Sequence, residues 1–565
     1  MENKQQFVQC HSISEALGIS QERRSANYKP NIWKYDFLQS LSTTFDEEKF
    51  KTEADYLKEE AKHFFVETVD LQAKLQLIDC IIKVGLASFF EDEIKNALDA
   101  IASSLKNNKF DVKENLYVTA LRFRLLRQHG YLVSQDIFSD FLNESGNFLR
   151  GTCSDNNGVL EVYEASYVGL EGENIMEDAK VFSTTILKNI KPSDTNLYKH
   201  VIHALEVPSH RRVLWFDVKW QINMFELEDN NVNKIILELA RINFNLSQAT
   251  LQKDLKDISR WWRNLGLIEN LKFSRDRLVE SFLCTVGLVF EPKYSSFRRW
   301  LTKVIIMVLI IDDVYDIYGS LEELQHFTKA INGGDIKEIE KLPECMKLCF
   351  DALQSITHET AYEMQTEMGW DQTQTQTHLK QVWADFCEAL FVEAKWYNKG
   401  HTPSLQEYMN NACISSSGSI LSVHSFFAIM NQESTHDMLH YLKTNQDLFH
   451  NISVVIRLCN DLGTSVAEQE RGDAASSIVC NMREKNISEE ESRNHIKKMI
   501  ENSWKKLNGK FFVQSPNYEL QLFVNVNINM ARVAHNLYQN RDGFGVQDRQ
   551  NKKQLFSLLV DPLKL

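Results

Sequence analysis

Residues 304–320 read VIIMVLIIDDVYDIYGS. Eight apolar residues run unbroken from Val304 to Ile311, and three carboxylates, Asp312, Asp313 and Asp316, follow within five positions. A helix turns 100° per residue, so Asp312 and Asp316 project to nearly one side with Asp313 beside them. Ile305, Val308 and Leu309 fall on the same face as Asp312, and the acids therefore crown an apolar wall. Two such charges about 6 Å apart repel by roughly 3 kcal/mol at an effective dielectric near 20. A helix closing at Gly319 also ends on the negative pole of its dipole, the wrong end for acids. A solvated turn beyond a buried helix is one reading. The other is a site for hard divalent cations, whose oxygen chemistry would relieve the repulsion.

A second stretch bears on that choice. Residues 457–473 read RLCNDLGTSVAEQERGD. Asn460, Thr464 and Glu468 are spaced i, i+4, i+8, which stacks an amide oxygen, a hydroxyl and a carboxylate along one helical stripe. Alone these are ordinary surface polar residues. Together with the acidic helix end they form two sets of oxygen ligands of the kind magnesium accepts, its remaining positions going to water and substrate phosphate. Arginines stand beside both sets: Arg275 and Arg277 in KFSRDRLVE, Arg457 before Asn460, and Arg471 after Glu468. A guanidinium fork suits phosphate oxygens, although any one of these arginines also fits a surface ion pair.

The rest of the chain is helical in pattern. TEADYLKEEAKHFFVETVDLQAKLQLIDCIIKVGL, residues 52–86, repeats apolar positions at three and four, as do LYVTALRFRLLRQHG and the stretch from Asn233 to Gly266. Only 8 prolines and 21 glycines occur in 565 residues, which favours long uninterrupted helices. No sustained alternation, glycine-rich phosphate loop or fixed repeat is present. The polar cluster EDNNVN at 228–233 marks a break, giving two all-helical halves; DQTQTQTH at 371–378 is a loop or a helix entry. A net charge of −14 argues against nucleic acid or an anionic membrane as partner. No unbroken apolar run approaches the roughly 18 residues of a membrane span. The ten cysteines show no CxxC pair, and Cys345 and Cys349 lack a second pair to complete a zinc site. Free thiols and an acid-containing N-terminus without arginine up to Glu22 lead to the expectation of a cytosolic protein.

Four motifs in order make the chain resemble the plant class I terpene synthases. These are RRSANYKPNIW with Arg23, Arg24 and Trp33, SRDRL with Arg275 and Arg277, DDVYD, and NDLGTSVAE. The resemblance implies an all-α fold of two helical domains, an N-terminal α-barrel-like domain (1–230) and a C-terminal class I helical bundle (231–565) that holds the active cavity. It implies that Asp312, Asp313 and Asp316 on one helix and Asn460, Thr464 and Glu468 on another hold three magnesium ions, Asp313 least directly. Manganese remains an alternative metal, and potassium a stimulating ion. It further implies that Arg275, Arg277, Arg457 and Arg471 bind diphosphate, the first three taking part in catalysis, and that Arg23 and Arg24 fold over the mouth. No DxDD occurs in the N-terminal half, so protonation-initiated chemistry is not expected. The expected partner is a small prenyl diphosphate, and the expected state a monomer.

RRSANYKPNIWKYDFL, LELARINFN, LIIDDVYDIYGS and NDLGTSVAEQERGDAASSIVC most resemble the members of the family that form alpha-farnesene. Cys284 and Gly418 stand where many cyclising relatives carry an aromatic residue, and Phe544 where a tyrosine is frequent. With Ile305, Val308, Leu309 and Tyr538 these residues are expected to line the cavity. Fewer aromatic and hydroxyl groups favour early proton loss from an extended cation. The expected reaction is ionisation of farnesyl diphosphate and deprotonation to acyclic (E,E)-alpha-farnesene. Beta-ocimene from geranyl diphosphate, nerolidol, isoprene, prenyl-chain elongation and a non-catalytic helical scaffold stay open as alternatives.

Overall fold

The computed structural model describes residues 26–45, 47–106, 115–149, 155–192, 195–227, 234–431, 441–442, 444–510, 512, 518–539, 542–545, 547 and 549–565. Arg23, Arg24 and the expected break at 228–233 lie outside these residues. Every regular element among them is helical, and the one pairing of extended backbone is an isolated bridge between Leu142 and Phe148. The fold is all-α, as the scarcity of proline and glycine requires.

Three helices set the scale of the C-terminal half: Lys234–Leu265 with 32 residues, Gln372–Lys399 with 28 and Gln446–Arg471 with 26. The polar patch at 371–378 is a helix entry, with Asp371 accepting from the amide of Gln374 at 2.8 Å as its N-cap. Capping boxes start the helices Leu321–Gly333 at Ser320 and Leu405–Ser415 at Ser404. The main apolar core is continuous from Trp33 to Leu559, so both halves of the chain share it.

The Ser295–Asp313 helix carries the apolar run into this core and is fixed at its entry by a buried ion pair. Arg298 donates to Asp254 of the Lys234–Leu265 helix through Nε at 3.0 Å and Nη2 at 2.7 Å, and neither side chain is more than 1% exposed. Its remaining Nη1 donates to the carbonyls of Val289 and Glu291, so the buried charge is fully hydrogen-bonded. The helix does not run regularly to Gly319. It widens at Val314–Tyr318 into a π turn, which closes with the Gly319 amide on the Val314 carbonyl at 2.8 Å.

The Gln446–Arg471 helix packs against Leu405–Ser415, Gly418–Ile429, Glu489–Lys510 and Tyr518–Tyr538. One stretch here differs from the reading by unbroken apolar runs. Leu405–Ile429 is long and apolar enough to cross a membrane by composition, with a mean hydropathy of 1.4. However, 67% of that window is buried inside the fold, and it breaks at Ser416 and Ser417, where Ser417 takes φ +66°. It is a pair of core helices. The eight described cysteines are free thiols.

Candidate active site

Two adjoining spaces open between the two motif helices. The more apolar one, about 140 Å³, is walled by Cys284, Leu288, Ile305, Val308, Leu309, Phe386, Leu421, Ile456, Met530, Val533, Leu537, Tyr538 and Phe544, with Arg275, Asp312, Arg457 and Asn460 also lining it. The other, about 260 Å³, is lined by Asp316, Glu393, Tyr408, Arg457, Asp461, Glu468 and Asp473. Arg457 borders both. Residues 145 positions apart in sequence are thus brought to one place, an oily hollow topped by an acidic recess. The π turn divides the labour of the first motif, since Asp312 faces the hollow and Asp316 the recess.

The recess holds acids against their preference. Asp316 is open to it, yet crowding by protein, and then the carboxylates of Asp312, Glu393, Asp473 and Glu468, hold its carboxyl well above the usual range. Burial, followed by Asp461, pushes Glu468 up to about 7. Cations would reverse both shifts. Among the described residues no three His, Cys, Asp or Glu side chains lie close enough to enclose one ion. The donors instead suit ions that each take one or two protein oxygens and fill the rest with water and phosphate, the habit of magnesium. The anion has its own receptor. Arg457, which borders both spaces, donates through Nη2 to Ser415 Oγ at 3.1 Å, while its Nε is buried without a hydrogen-bond partner. Such a donor costs free energy unless a ligand satisfies it.

Several expectations need correction. Asp313 is fully buried and already accepts four hydrogen bonds: from Tyr28 Oη at 3.0 Å and Arg275 Nε at 3.0 Å on Oδ1, and from Ser274 Oγ and the Arg275 amide, both at 2.9 Å, on Oδ2. Its lone pairs are spent, so it anchors Arg275 rather than facing a metal. Arg275 also reaches Asp312 at 2.5 Å. Arg277 lines neither space. Its guanidinium donates to the carbonyls of Phe544 (2.6 Å), Asp276 (2.9 Å) and Lys29 (3.5 Å), tying the N-terminal segment to the C-terminal loop. Arg471 lies at the rim with Nε on Asp473 at 2.8 Å. Thr464 is buried one layer back, donating to the Asn460 carbonyl at 2.9 Å. Gly418 does not line the hollow. A Cβ there would meet Ser453 Oγ at 2.4 Å and Ser453 Cα at 3.0 Å, because the helix needs a bare backbone to pack on the Gln446–Arg471 helix. Cys284, Ile305, Val308, Leu309, Tyr538 and Phe544 do line it.

Glu393 escaped the sequence reading. It lies mid-helix in LFVEAKW, 9% exposed, and accepts from Asn411 Nδ2 at 3.1 Å and from Ser415 Oγ. An acid on the buried face of an apolar stretch was the available signal. The three hydroxyl-bearing residues Ser415, Ser416 and Ser417 also line the hollow, which is therefore less bare of hydroxyls than expected.

The chain is similar over its whole length to known proteins. A family profile described as "Terpene synthase family, metal binding domain" matches residues 263–506, and "Terpene synthase, N-terminal domain" matches 32–205. An alpha-farnesene synthase of Ricinus communis is 71% identical over 99% of this chain and 99% of its own. The chain belongs to the terpene synthase family. As a terpene synthase it is a diphosphate-releasing lyase that uses a divalent metal. An (E,E)-alpha-farnesene synthase of Malus domestica is 55% identical over 97% of this chain and 96% of that one. Among solved structures, the isoprene synthase of grey poplar leaves (Populus x canescens), in complex with three Mg2+ ions and dimethylallyl-S-thiolodiphosphate, has a TM-score of 0.85 at 38% identity. That match spans 94% of this terpene synthase and 99% of the other chain.

Proposed function

We propose that this terpene synthase ionises farnesyl diphosphate and deprotonates the resulting cation to acyclic (E,E)-alpha-farnesene. The observation that carries the reading is the oily hollow and the acidic recess meeting at Arg457. The names of the relatives from Ricinus communis and Malus domestica support the choice of product.

Asp316, Glu393 and Glu468 in the recess, and Asp312 and Asn460 lining the hollow, would be the oxygen ligands, with Thr464 one layer behind Asn460; magnesium is the expected ion, three to a site, with manganese as the alternative, potassium as a stimulant, and the monomer as the working unit. Bound divalent cations supply positive charge for the departing diphosphate. Arg457, through its unpartnered Nε, and Arg275 receive diphosphate oxygens. The allylic carbon–oxygen bond breaks toward that charge, leaving the hydrocarbon in the hollow. Ile305, Val308, Leu309 and Phe386 exclude water that would trap the cation as an alcohol. Loss of a proton from the carbon beside the allylic cation yields the conjugated diene end, with diphosphate as the nearest base. Few aromatic faces, those of Phe386, Tyr538 and Phe544, are available to stabilise a ring-closed cation.

The test is incubation of purified protein and magnesium with farnesyl, geranyl or dimethylallyl diphosphate, read by gas chromatography and diphosphate release. Alpha-farnesene from the C15 substrate is expected. Cyclic products alone, or no diphosphate release, overturn the reading.

A further inference from the structure

The segment 26–33 lies against the C-terminal half, making hydrogen bonds to residues more than 240 positions away. Asn27 turns the chain with φ +50°. Asn31 Nδ2 donates to Asp276 at 2.9 Å, the Ile32 amide to Gln547 Oε1 at 3.2 Å, and the Trp33 indole to Glu280 at 3.2 Å. These bonds hold Tyr28 at the edge of the site without making it part of either wall. Its hydroxyl donates to Asp313 Oδ1 at 3.0 Å, and its ring faces the Arg275 guanidinium at 5.2 Å.

Arg275 is pulled two ways. Nε is held by Asp313, whereas Nη2 is shared between Asp313 Oδ1, at 2.9 Å, and Asp312, a carboxylate that the proposed reaction needs for a cation. When Asp312 turns to a cation, Arg275 loses that contact and its guanidinium is held against swivelling only from the Asp313 and Tyr28 side. Two things oppose the swivel: the carboxylate of Asp313, and the aromatic face of Tyr28 on the guanidinium plane. Tyr28 also takes one of the lone pairs through which Asp313 would otherwise join the metal ligands.

We propose that Tyr28 is a positioning residue of this site: by its hydroxyl on Asp313 and its ring on Arg275, it fixes the Arg275 fork for the diphosphate and keeps Asp313 out of the metal set. The inference rests on the diphosphate–metal reading above. It couples the N-terminal segment to the anion receptor through one side chain that touches no substrate.

Two variants separate the parts: Tyr28→Phe removes the hydroxyl, and Tyr28→Leu also removes the ring. Calorimetric titration with inorganic pyrophosphate at saturating magnesium reads the receptor without turnover. Affinity is expected to fall about tenfold in Tyr28→Phe and further in Tyr28→Leu. In steady-state assays with farnesyl diphosphate, kcat/KM is expected to fall by a similar factor. The thermal midpoint of Tyr28→Phe should stay with the parent, since Trp33 and Asn31 still anchor the segment. Parental pyrophosphate affinity in both variants overturns the proposal, and so does a loss that follows a lowered midpoint. A parent that releases no diphosphate from any prenyl substrate overturns the underlying reading instead, and this proposal with it.

Discussion

Arg457 meets Ser415 across 3.1 Å at the junction of the hollow and the recess, and this contact leaves its buried Nε without a partner. The guanidinium is held by one end and unsatisfied at the other, as a receptor for an incoming anion should be. Lysine keeps the charge but has neither the fork nor the Nε proton. Arg457→Lys is expected to lower kcat/KM for farnesyl diphosphate by about tenfold to a hundredfold, the range of a lost charge-assisted hydrogen bond. Steady-state kinetics decide it, and a loss under twofold would show that the arginine fork is not used.

Asp316 and Asp313 are neighbours with opposite expected phenotypes. Asp316, though open to the recess, is disfavoured as an anion by crowding and by surrounding carboxylates, so Asp316→Asn relieves repulsion. Stability in urea should be equal to the parent or higher, while activity falls at least about a hundredfold and the stabilisation by magnesium with pyrophosphate shrinks. Asp313→Asn removes the anion that holds Arg275 and leaves a buried guanidinium underpaired, which is expected to cost about 3 kcal/mol of folding stability. Urea unfolding with and without magnesium separates the two. Chelation of the metal should abolish turnover in the parent without unfolding it.

How much of this was legible in the sequence depends on what kind of physics fixes each part. The helices were legible because they follow from local spacing and from the rarity of breakers. The meeting of Asp312 with Asn460 was legible because two costly oxygen clusters make sense only together. Asp313 and Arg277 were misjudged because a motif gives residue type but not which lone pairs or donors the surroundings have already used. Tyr28, Ser274 and the Phe544 carbonyl consume them, and all three are distant in sequence. Glu393 was missed for the same reason, since its neighbours Asn411 and Ser415 come from another helix.

The two halves are joined by an ion pair with a calculable pH signature. Glu501 on the Glu489–Lys510 helix accepts from Lys180 at 2.6 Å and from Arg211 Nη2 at 2.8 Å, both from the N-terminal half. Burial would raise its carboxyl, but Arg211 and Lys180 outweigh that and hold it at about 2, against an ordinary value of 4.5. A depressed carboxylate stabilises the fold fully above its unfolded pKa and loses that contribution as pH falls through the folded one. After allowance for partial exposure, Glu501→Gln should cost about 2 kcal/mol at neutral pH. The gap between parent and variant should shrink by about half near pH 3 and close toward pH 2. Urea midpoints measured across pH 2–7 test the sign, and a gap that widens on acidification refutes it.

Cys284 and Gly418 were both expected from the sequence to line the cavity, yet the structure separates them. Cys284 faces the oily hollow, with burial pushing its thiol up to about 12 and no basic partner to activate it. Gly418 instead faces Ser453, whose Oγ would lie 2.4 Å from an added Cβ. An indole at 284 enters the space meant for the hydrocarbon, so Cys284→Trp should lower C15 turnover at least about tenfold and C10 turnover less, with little change in stability. A single methyl at 418 must push two core helices apart or drive the Ser453 hydroxyl aside. Gly418→Ala should therefore cost about 1–3 kcal/mol, while the product of the folded enzyme stays the same. Ser453→Ala removes the closest atom and should recover part of that loss in the double variant. Product profiles and urea midpoints, measured on all four proteins, assign each position. An unchanged C15 rate in Cys284→Trp, or parental stability in Gly418→Ala, would contradict the placement of that residue.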